Sequence, residues 1–297
     1  MERLYITSTP TRRGKELSKI LNCSYNFIEL DKYSNLELIL YIHKITKRYS
    51  HVHAEIVNNL AFFIILRIFK FFSRKLFVFD CHMVIFSKDE LSTLRFNIYR
   101  LLLKKQKLVF HNDTIATNQK LTDDFMTMFT PVSTTINASY LSRYTIGILS
   151  NNYNDISESL LNRIIALDFQ VFMSGNVPEK FKQHDHVHAP GRLDFTEYME
   201  HALSCDVIVG LSDREDCLVL VGREFLFYNK KVIVSDTKAN RDHYSDFVEY
   251  LSSSDTESVI QLKIAKALNS GSTASSYQQI YKETCQNQYS RYNVFVS

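Results

Sequence analysis

The sequence is poor in the residues that punctuate or staple a chain. Its 297 residues include 7 glycines and 4 prolines, too few for a collagenous, low-complexity or flexible-linker segment. The 5 cysteines, Cys23, Cys81, Cys205, Cys217 and Cys285, are scattered and odd in number, with no CxxC pair. That argues against a disulfide framework and against a zinc site, and for a reducing compartment. No internal repeat of roughly 20–50 residues recurs. The best candidate for a membrane span, Leu60 to Asp80, is unbroken only from Leu60 to Leu66 before Arg67, Lys70, Arg74 and Lys75 interrupt it. A span needs roughly 20 apolar residues, so none is expected. The first residues, MERLYITSTPTRRGKE, show no apolar stretch followed by a small-residue cleavage site, so a secretory signal is not expected and a cytoplasmic location is.

What is present is ordinary in bulk, with 45% hydrophobic and 23% charged residues, the composition of a soluble globular protein. The length suits two cores of roughly 150 residues each. The net charge of +3 conceals an asymmetry. Between Tyr41 and Lys107 thirteen Lys and Arg stand against Glu55, Asp80, Asp89 and Glu90, a surplus of nine, so the remainder carries a deficit of six. A basic surface in the first half follows.

Short β-branched or aromatic runs alternate with longer amphipathic stretches, the pattern of βαβ units and a mainly parallel sheet. In the first half the expected strands are Arg3 to Ser8, Asn26 to Leu30, His51 to Ile56, Lys75 to Asp80, Lys107 to Asn112 and Thr134 to Ala138. Helices are expected from Lys15 to Leu21, Leu36 to Arg48, Asn58 to Phe72 and Leu91 to Lys105. The alternation restarts with strands at Tyr144 to Ser150, Phe169 to Gly175, His186 to Gly191, Cys205 to Leu211, Lys230 to Asp236 and Glu249 to Ser253. Helices between them run from Ser157 to Leu167, Phe195 to Ser204, Val219 to Tyr228, Arg241 to Asp246 and Thr256 to Leu268, with a last one over Tyr277 to Tyr292. The fold class expected is therefore α/β, with two Rossmann-like domains at 1–140 and 141–297 and the last helix able to pack back on the first. A ligand belongs in the cleft between them, beyond the C-terminal ends of the strands. Periodicity does not name the ligand, because fold alone does not fix function.

The most specific stretch is CDVIVGLSDREDCLVLVGREFLFYNKKVIVSDTKANRDHYSD, Cys205 to Asp246. A strand, an acidic turn, a helix with Asp216 and Glu224 eight residues apart, and a strand ending in Ser-Asp follow one another. This resembles the donor-binding segment of glycosyltransferase family 4 and its relatives of GT-B architecture. The family usually has Glu where this chain has Asp216, with Glu215 beside it, which leaves open which acid faces the sugar. Gly222 matches the family's small residue at the helix centre. Asn229 replaces its usual Gly and is able to take a left-handed C-cap. Ile148 to Ile164, Phe169 to Asn176 and His186 to Val209 resemble the preceding loop, strand and strand–turn–helix of the same family. The likeness is good over Tyr144 to Leu268 and holds only in outline over the first domain.

The resemblance implies a nucleotide-sugar donor, UDP- or GDP-linked, and no cofactor or metal. Glu224 would accept from the ribose hydroxyls. The helix start at Cys217, Leu218 and Val219 would hold the diphosphate through its N–H groups and positive helix end. Arg192 and Arg214 would supply cations, while Ser150, Asn151 and Gly175 would line the nucleotide pocket. Donors aimed at the developing diphosphate charge are able to lower the barrier by about 3 kcal/mol or more. The plainer reading is that Glu224 and Asp216 are ordinary helix carboxylates, Asp216 an N-terminal cap, and the two arginines surface residues.

In the first half, KLFVFDCHMVIF (Lys75 to Phe86) ends a strand in Asp-x-His. By the same resemblance His82 would touch the donor sugar or acceptor, and Asp80 would orient it or take the acceptor proton. A satisfied histidine at a strand end is the alternative. Asn112 is a further contact expected at the cleft, and TSTPTRRGKE (Thr7 to Glu16) fits an acceptor or phosphate pocket, though it lacks the GxxxxGK[ST] spacing of a P-loop. HDHVHAP (His184 to Pro190) alternates histidines on what reads as a strand, but no third ligand is evident. No Asp-x-Asp occurs, which weakens a metal-dependent alternative. Arg67, Lys70 and Arg74 form a stripe at i, i+3 and i+7 on a helix rich in Phe and Ile. With the basic stretch 91–107 this suits an anionic membrane surface over segments 58–75 and 91–107, or else a solvated helix face. No nucleic-acid motif accompanies it.

The function expected is transfer of a sugar from a nucleoside diphosphate donor to a saccharide or lipid-linked acceptor, retaining and metal-independent, by a hexosyltransferase of polysaccharide biosynthesis. A nucleotide-sugar epimerase of the same fold and a non-catalytic partner protein remain open.

Overall fold

The structure, a computed structural model, describes residues 2–9, 11–56, 59–73, 75–81, 93–110, 124–128, 143–150, 153–270 and 274–295. His82, Asn112, Asn151 and the strand expected at Thr134 to Ala138 lie outside the described residues. The chain divides into two units, Met1–Pro131 with Glu283–Ser297, and Val132–Lys282.

In the first unit, strands β1 (Arg3–Thr7), β2 (Ser24–Phe27), β3 (His51–Ile56), β4 (Leu76–Cys81), β5 (Lys107–Phe110) and β6 (Phe125–Thr127) pair in parallel in the order β2-β1-β3-β4-β5-β6. Helices α1 (Arg12–Ile20), α2 (Asn35–Thr46), α3 (Leu60–Phe72) and α4 (Thr93–Leu103) join them. Side chains alternate across a strand, so each sheet face has its own set. Leu4, Ile6, Val52, Ala54, Phe77 and Phe79 pack under α2, α3 and α4 with Leu38, Ile42, Phe62, Phe63, Leu66 and Tyr99. Each such fully buried Leu or Phe stabilises the fold by about 1.5–3 kcal/mol. The intervening residues Tyr5, Val78 and Val109 turn to the opposite face, against Leu17, Leu21 and Tyr292. The helices start at polar caps. Ser34 and Glu37 form a reciprocal capping box at α2, and Thr11 and Asn59 accept from the backbone at α1 and α3, each worth about 1 kcal/mol.

The second unit repeats the plan with strands β7 (Tyr144–Leu149), β8 (Val171–Ser174), β9 (Val187–Gly191), β10 (Cys205–Gly210), β11 (Lys231–Ser235) and β12 (Glu249–Leu251). Their order is β12-β11-β10-β7-β8-β9, again all parallel. Helices α5 (Glu158–Ile165), α6 (Glu179–Lys182), α7 (Phe195–Leu203), α8 (Leu220–Phe227), α9 (Lys238–Tyr244) and α10 (Glu257–Asn269) connect them, and α11 (Ala274–Phe295) carries the chain from this unit back to the first.

Three expectations need correction. The strand expected at Asn26 to Leu30 lies earlier, at Ser24–Phe27, because Leu30–Lys32 closes a turn of 3-10 helix. β6, only three residues long, carried too little pattern to read. Of the basic stripe expected on α3, Arg67 and Lys70 are half-buried and turn toward Gln106, and Arg74 lies outside the described residues. Arg67 Nη1 and Lys70 Nζ both donate to Gln106 Oε1, at 2.6 and 2.5 Å, and burial lowers the pKa of both. The face of α3 left in water is the apolar one, with Ile64, Ile68, Phe71 and Phe72.

Candidate functional site

The order of the second sheet reverses direction between β7 and β10, whose crossovers leave to opposite sides. Such a switch point opens a crevice at the C-terminal strand ends. Ser150 follows β7 there, and the turn Leu211 to Val219 follows β10. This turn is held from three sides. The Ser212 amide donates to Ser235 Oγ at 2.7 Å, the Asp213 amide to the Asp155 carbonyl at 2.7 Å, and the Arg214 amide to Ser212 Oγ at 3.3 Å. On the other side of the switch, Tyr153 bridges the ends of β7 and β8, its hydroxyl within 3.1 Å of the Ile148 carbonyl and 2.9 Å of the Ser174 carbonyl. Gly175 and Gly191 turn the chain at the ends of β8 and β9 with φ of +86° and +90°, where a side chain would be strained.

Helix α8 is set by a clamp from α9. Asn240, fully buried, accepts from the Val219 amide at 3.0 Å and donates to the Ser235 carbonyl at 2.9 Å. The Tyr244 hydroxyl donates to the Val219 carbonyl at 2.5 Å and accepts from the Arg223 amide at 2.9 Å. Close approach makes this possible. A Cβ on Gly222 would meet the Tyr244 ring at 2.9 Å, and one on Gly210 would meet Val219 at 2.5 Å. At the far end, Asn229 takes φ +64° and the Lys230 amide returns to the Phe225 carbonyl at 2.8 Å, so the Asn does close the helix as a left-handed cap.

The first sheet changes direction between β1 and β3. Its register sets Thr7, Glu55 and Asp80 side by side near the C-terminal ends of three adjacent strands. Asp80 is completely buried and meets Arg13 in a two-pronged pair, with Nε and Nη2 each at 3.0 Å. Arg13 Nη1 donates to the Met128 carbonyl at 2.9 Å and Tyr5 donates to Asp80 at 3.1 Å. Burial works against the Arg13 charge, but Asp80 outweighs it and leaves the guanidinium more basic than usual. His53 lies 3.7 Å from Asp80, and its Nδ1 is 2.8 Å from the Tyr292 hydroxyl of α11. Glu55 accepts from Thr11 Oγ1 at 2.7 Å. Burial first and the Asp80 charge second push its pKa up to about 7.

No family model matches the chain, and no curated protein matches it. The Anabaena protein HepE, crystallised with UDP and glucose, superposes over 99% of this chain and 99% of its own, with a TM-score of 0.73 at 11% identity. The superposition spans nearly the whole of both chains. The fold is that of the GT-B glycosyltransferases. A glycosyltransferase from Rickettsia africae matches over 98% of this chain and 88% of its own, with a TM-score of 0.64 at 12% identity. The UDP-GlcNAc 2-epimerase of Methanocaldococcus jannaschii matches over 96% and 99%, with a TM-score of 0.56 at 10% identity.

Within this GT-B frame the residues expected from the sequence divide into groups. Ser150, Arg214, Asp216, Cys217, Leu218 and Val219 gather at the ends of β7 and β10, and Glu224 stands half-buried on α8. Asp216 is an ion-pair partner of Arg214 at 3.5 Å, while Glu215 caps α9 by accepting from the Lys238 amide at 3.0 Å. In the stretch expected to cradle the diphosphate, Cys217 to Val219, the Cys217 amide donates to the Arg214 carbonyl and the Val219 amide to Asn240 Oδ1. Gly175 and Arg192 belong to the turns after β8 and β9, Arg192 being exposed. Asp80 is sealed against Arg13 and Tyr5 instead of lying open, as a proton acceptor for substrate would. His186 is engaged by the Ile165 carbonyl at 3.0 Å and Asp168 at 3.1 Å, and His188 stacks on Tyr144. Among the described residues no three His, Cys, Asp or Glu are grouped to hold a metal ion. Asn240, Tyr244 and Glu55 were missed. Asn240 and Tyr244 carry one available signal, a polar pair four residues apart on a short helix, whereas Glu55 inside an otherwise apolar strand was visible as an acid where none is expected.

Proposed function

We propose that this chain transfers a hexose from a UDP- or GDP-linked donor to a saccharide or lipid-linked acceptor, in the manner of glycosyltransferase family 4, with retention and without a metal. The observation that carries the reading is the end-to-end likeness to HepE, a protein crystallised with UDP and glucose. The second unit then takes the donor at the switch between β7 and β10. Glu224 accepts from the ribose hydroxyls. Arg214, joined by Arg192, faces the diphosphate. Competition by the diphosphate for Arg214 releases Asp216 from its ion pair toward the sugar. The α9 clamp holds the start of α8 in place while negative charge builds on the leaving group, so no reorganisation is needed at that moment. The acceptor belongs to the first unit, where the β1–α1 loop lies over Glu55.

Thermal shift with UDP, GDP, CMP and their sugars, with and without EDTA, tests the donor site. One diphosphate should raise the melting temperature of the wild type, insensitively to EDTA, and Glu224→Ala should lose the rise. At a ligand concentration about 100-fold above Kd the stabilisation is about 2.7 kcal/mol. A well-folded sample that responds to no nucleotide would overturn the assignment in favour of a non-catalytic partner protein. A second reading, nucleotide-sugar epimerisation, is favoured by the likeness to the Methanocaldococcus enzyme. It separates from transfer because it turns over the donor with no acceptor present.

A further inference from the structure

Helices α2, α3 and α4 are joined to β3, β4 and β5 by the short connections 47–50, 73–75 and 104–106. Because a helix between parallel strands runs back against them, such connections gather the C-terminal ends of all three helices at one edge of the first sheet. This is the edge opposite the strand ends where ligands of such sheets bind. At it stand Phe71 and Phe72, 84% and 81% exposed, their rings packed edge to face at 5.3 Å. Ile64 and Ile68 continue the apolar stripe up α3, and Leu101 is exposed on the neighbouring α4.

The charges at this edge have one sign over most of its width. Lys44, Lys47, Arg48, Arg100, Lys104 and Lys105 are all exposed at or just beyond the ends of α2 and α4. Of the acids between Tyr41 and Lys107, Glu55 and Asp80 are buried, and Asp89 and Glu90 lie outside the described residues. Among the described residues the acids nearby are Glu2, before β1, and Asp124, which pairs with Lys107 at 3.8 Å. Cations in a last helical turn offset the helix dipole, but that does not account for two adjacent phenylalanines left in water.

We propose that this edge of the first unit docks on an anionic lipid bilayer. Phe71 and Phe72 enter the interface, and the cations of α2 and α4 rest on the headgroups. The pairing of exposed aromatic rings with surrounding Lys and Arg is what such a surface recognises. A twofold contact with a second copy would set the same cations against each other, so the lipid is the occupant that the charge favours. Docked in this way, the C-terminal strand ends of the first unit point away from the bilayer, and the contact anchors the protein without covering them. The proposal concerns the first unit alone and stands whatever the second unit binds.

Co-sedimentation of the full chain with phosphatidylcholine vesicles, and with vesicles containing about one third phosphatidylglycerol, tests this. Binding should require the anionic lipid and weaken as salt rises. Phe71→Ser with Phe72→Ser should lower the partition coefficient about tenfold or more, and Lys104→Glu with Lys105→Glu by a similar factor, since both groups contribute to interfacial binding. Both variants alter exposed side chains, and circular dichroism checks that they fold. Absence of binding, or binding equal on neutral and anionic vesicles, overturns the proposal. So does a vesicle-free dimer in analytical ultracentrifugation that the Phe71/Phe72 variant dissolves, because the patch is then covered by a second copy.

Discussion

Asp80 and Glu224 are both carboxylates expected at the site, and their surroundings give them different consequences when changed. Asp80 holds Arg13 through two hydrogen bonds in a buried setting, and Arg13 in turn ties α1 to the Met128 carbonyl. Removing one partner of such a pair leaves the other charge buried and unanswered. Asp80→Asn should therefore cost about 3–5 kcal/mol, read as a fall in the urea midpoint at unchanged m-value. Glu224→Ala, half-buried on α8, should stay within about 1 kcal/mol of the wild type. Equal losses in the two variants would remove the distinction. From the sequence the two were alike, each an acid expected to face a ligand. Nothing in KLFVFDCH says that the partner of Asp80 lies 67 residues away on α1, because the contact is made by sheet register.

At the scale of elements the alternation of apolar runs was legible because parallel strands buried on both faces read as short β-branched stretches. His51–Ile56 is found at the expected bounds, and the strands of the second unit lie within two residues of theirs at each end. The order of elements in the most specific stretch was legible as well, α8 and β11 following the acidic turn as expected. The α8–α9 clamp was not legible. Arg241 to Asp246 was read as the helix, whereas it begins at Lys238, capped by Thr237. Only that extra turn brings Asn240 to Val219 and Ser235. Asn240→Ala leaves the buried Val219 amide without an acceptor, while the Ser235 carbonyl keeps the Thr237 amide. The loss should cost about 1–3 kcal/mol. If α8 presents the donor-binding groups, the variant should also bind the responding nucleotide more weakly in isothermal titration at a temperature where it remains folded. Loss of stability with unchanged affinity would place the clamp outside the site.

Across the whole molecule the two units answer to pH in opposite directions. In the first, burial and Asp80 raise Glu55 from an ordinary 4.5 to about 7, with Arg13, Tyr5, Tyr25 and Thr11 as its other neighbours. The folded state therefore holds the proton more tightly than the unfolded chain. That stability is fully present below pH 4.5 and is lost as pH rises through 7. In the second unit, burial first and Arg223 second lower His243 from 6.5 to about 3, beside Tyr244 and the Tyr277 hydroxyl. Here the unfolded chain takes the proton more readily, so the stability is present above 6.5 and falls as pH drops toward 3. Each effect is on the order of 2 kcal/mol between about pH 5 and about pH 8. Hydrogen exchange corrected for the intrinsic rate should then show the amides of β1 and β3 opening more readily at the higher pH, and those of α9 and β11 at the lower. Glu55→Gln should flatten the trend of the first unit and leave the second unchanged, because the uncharged amide has no proton to lose. Parallel loss of protection in both units, or a Glu55→Gln protein that keeps its slope, would show that other groups set the response.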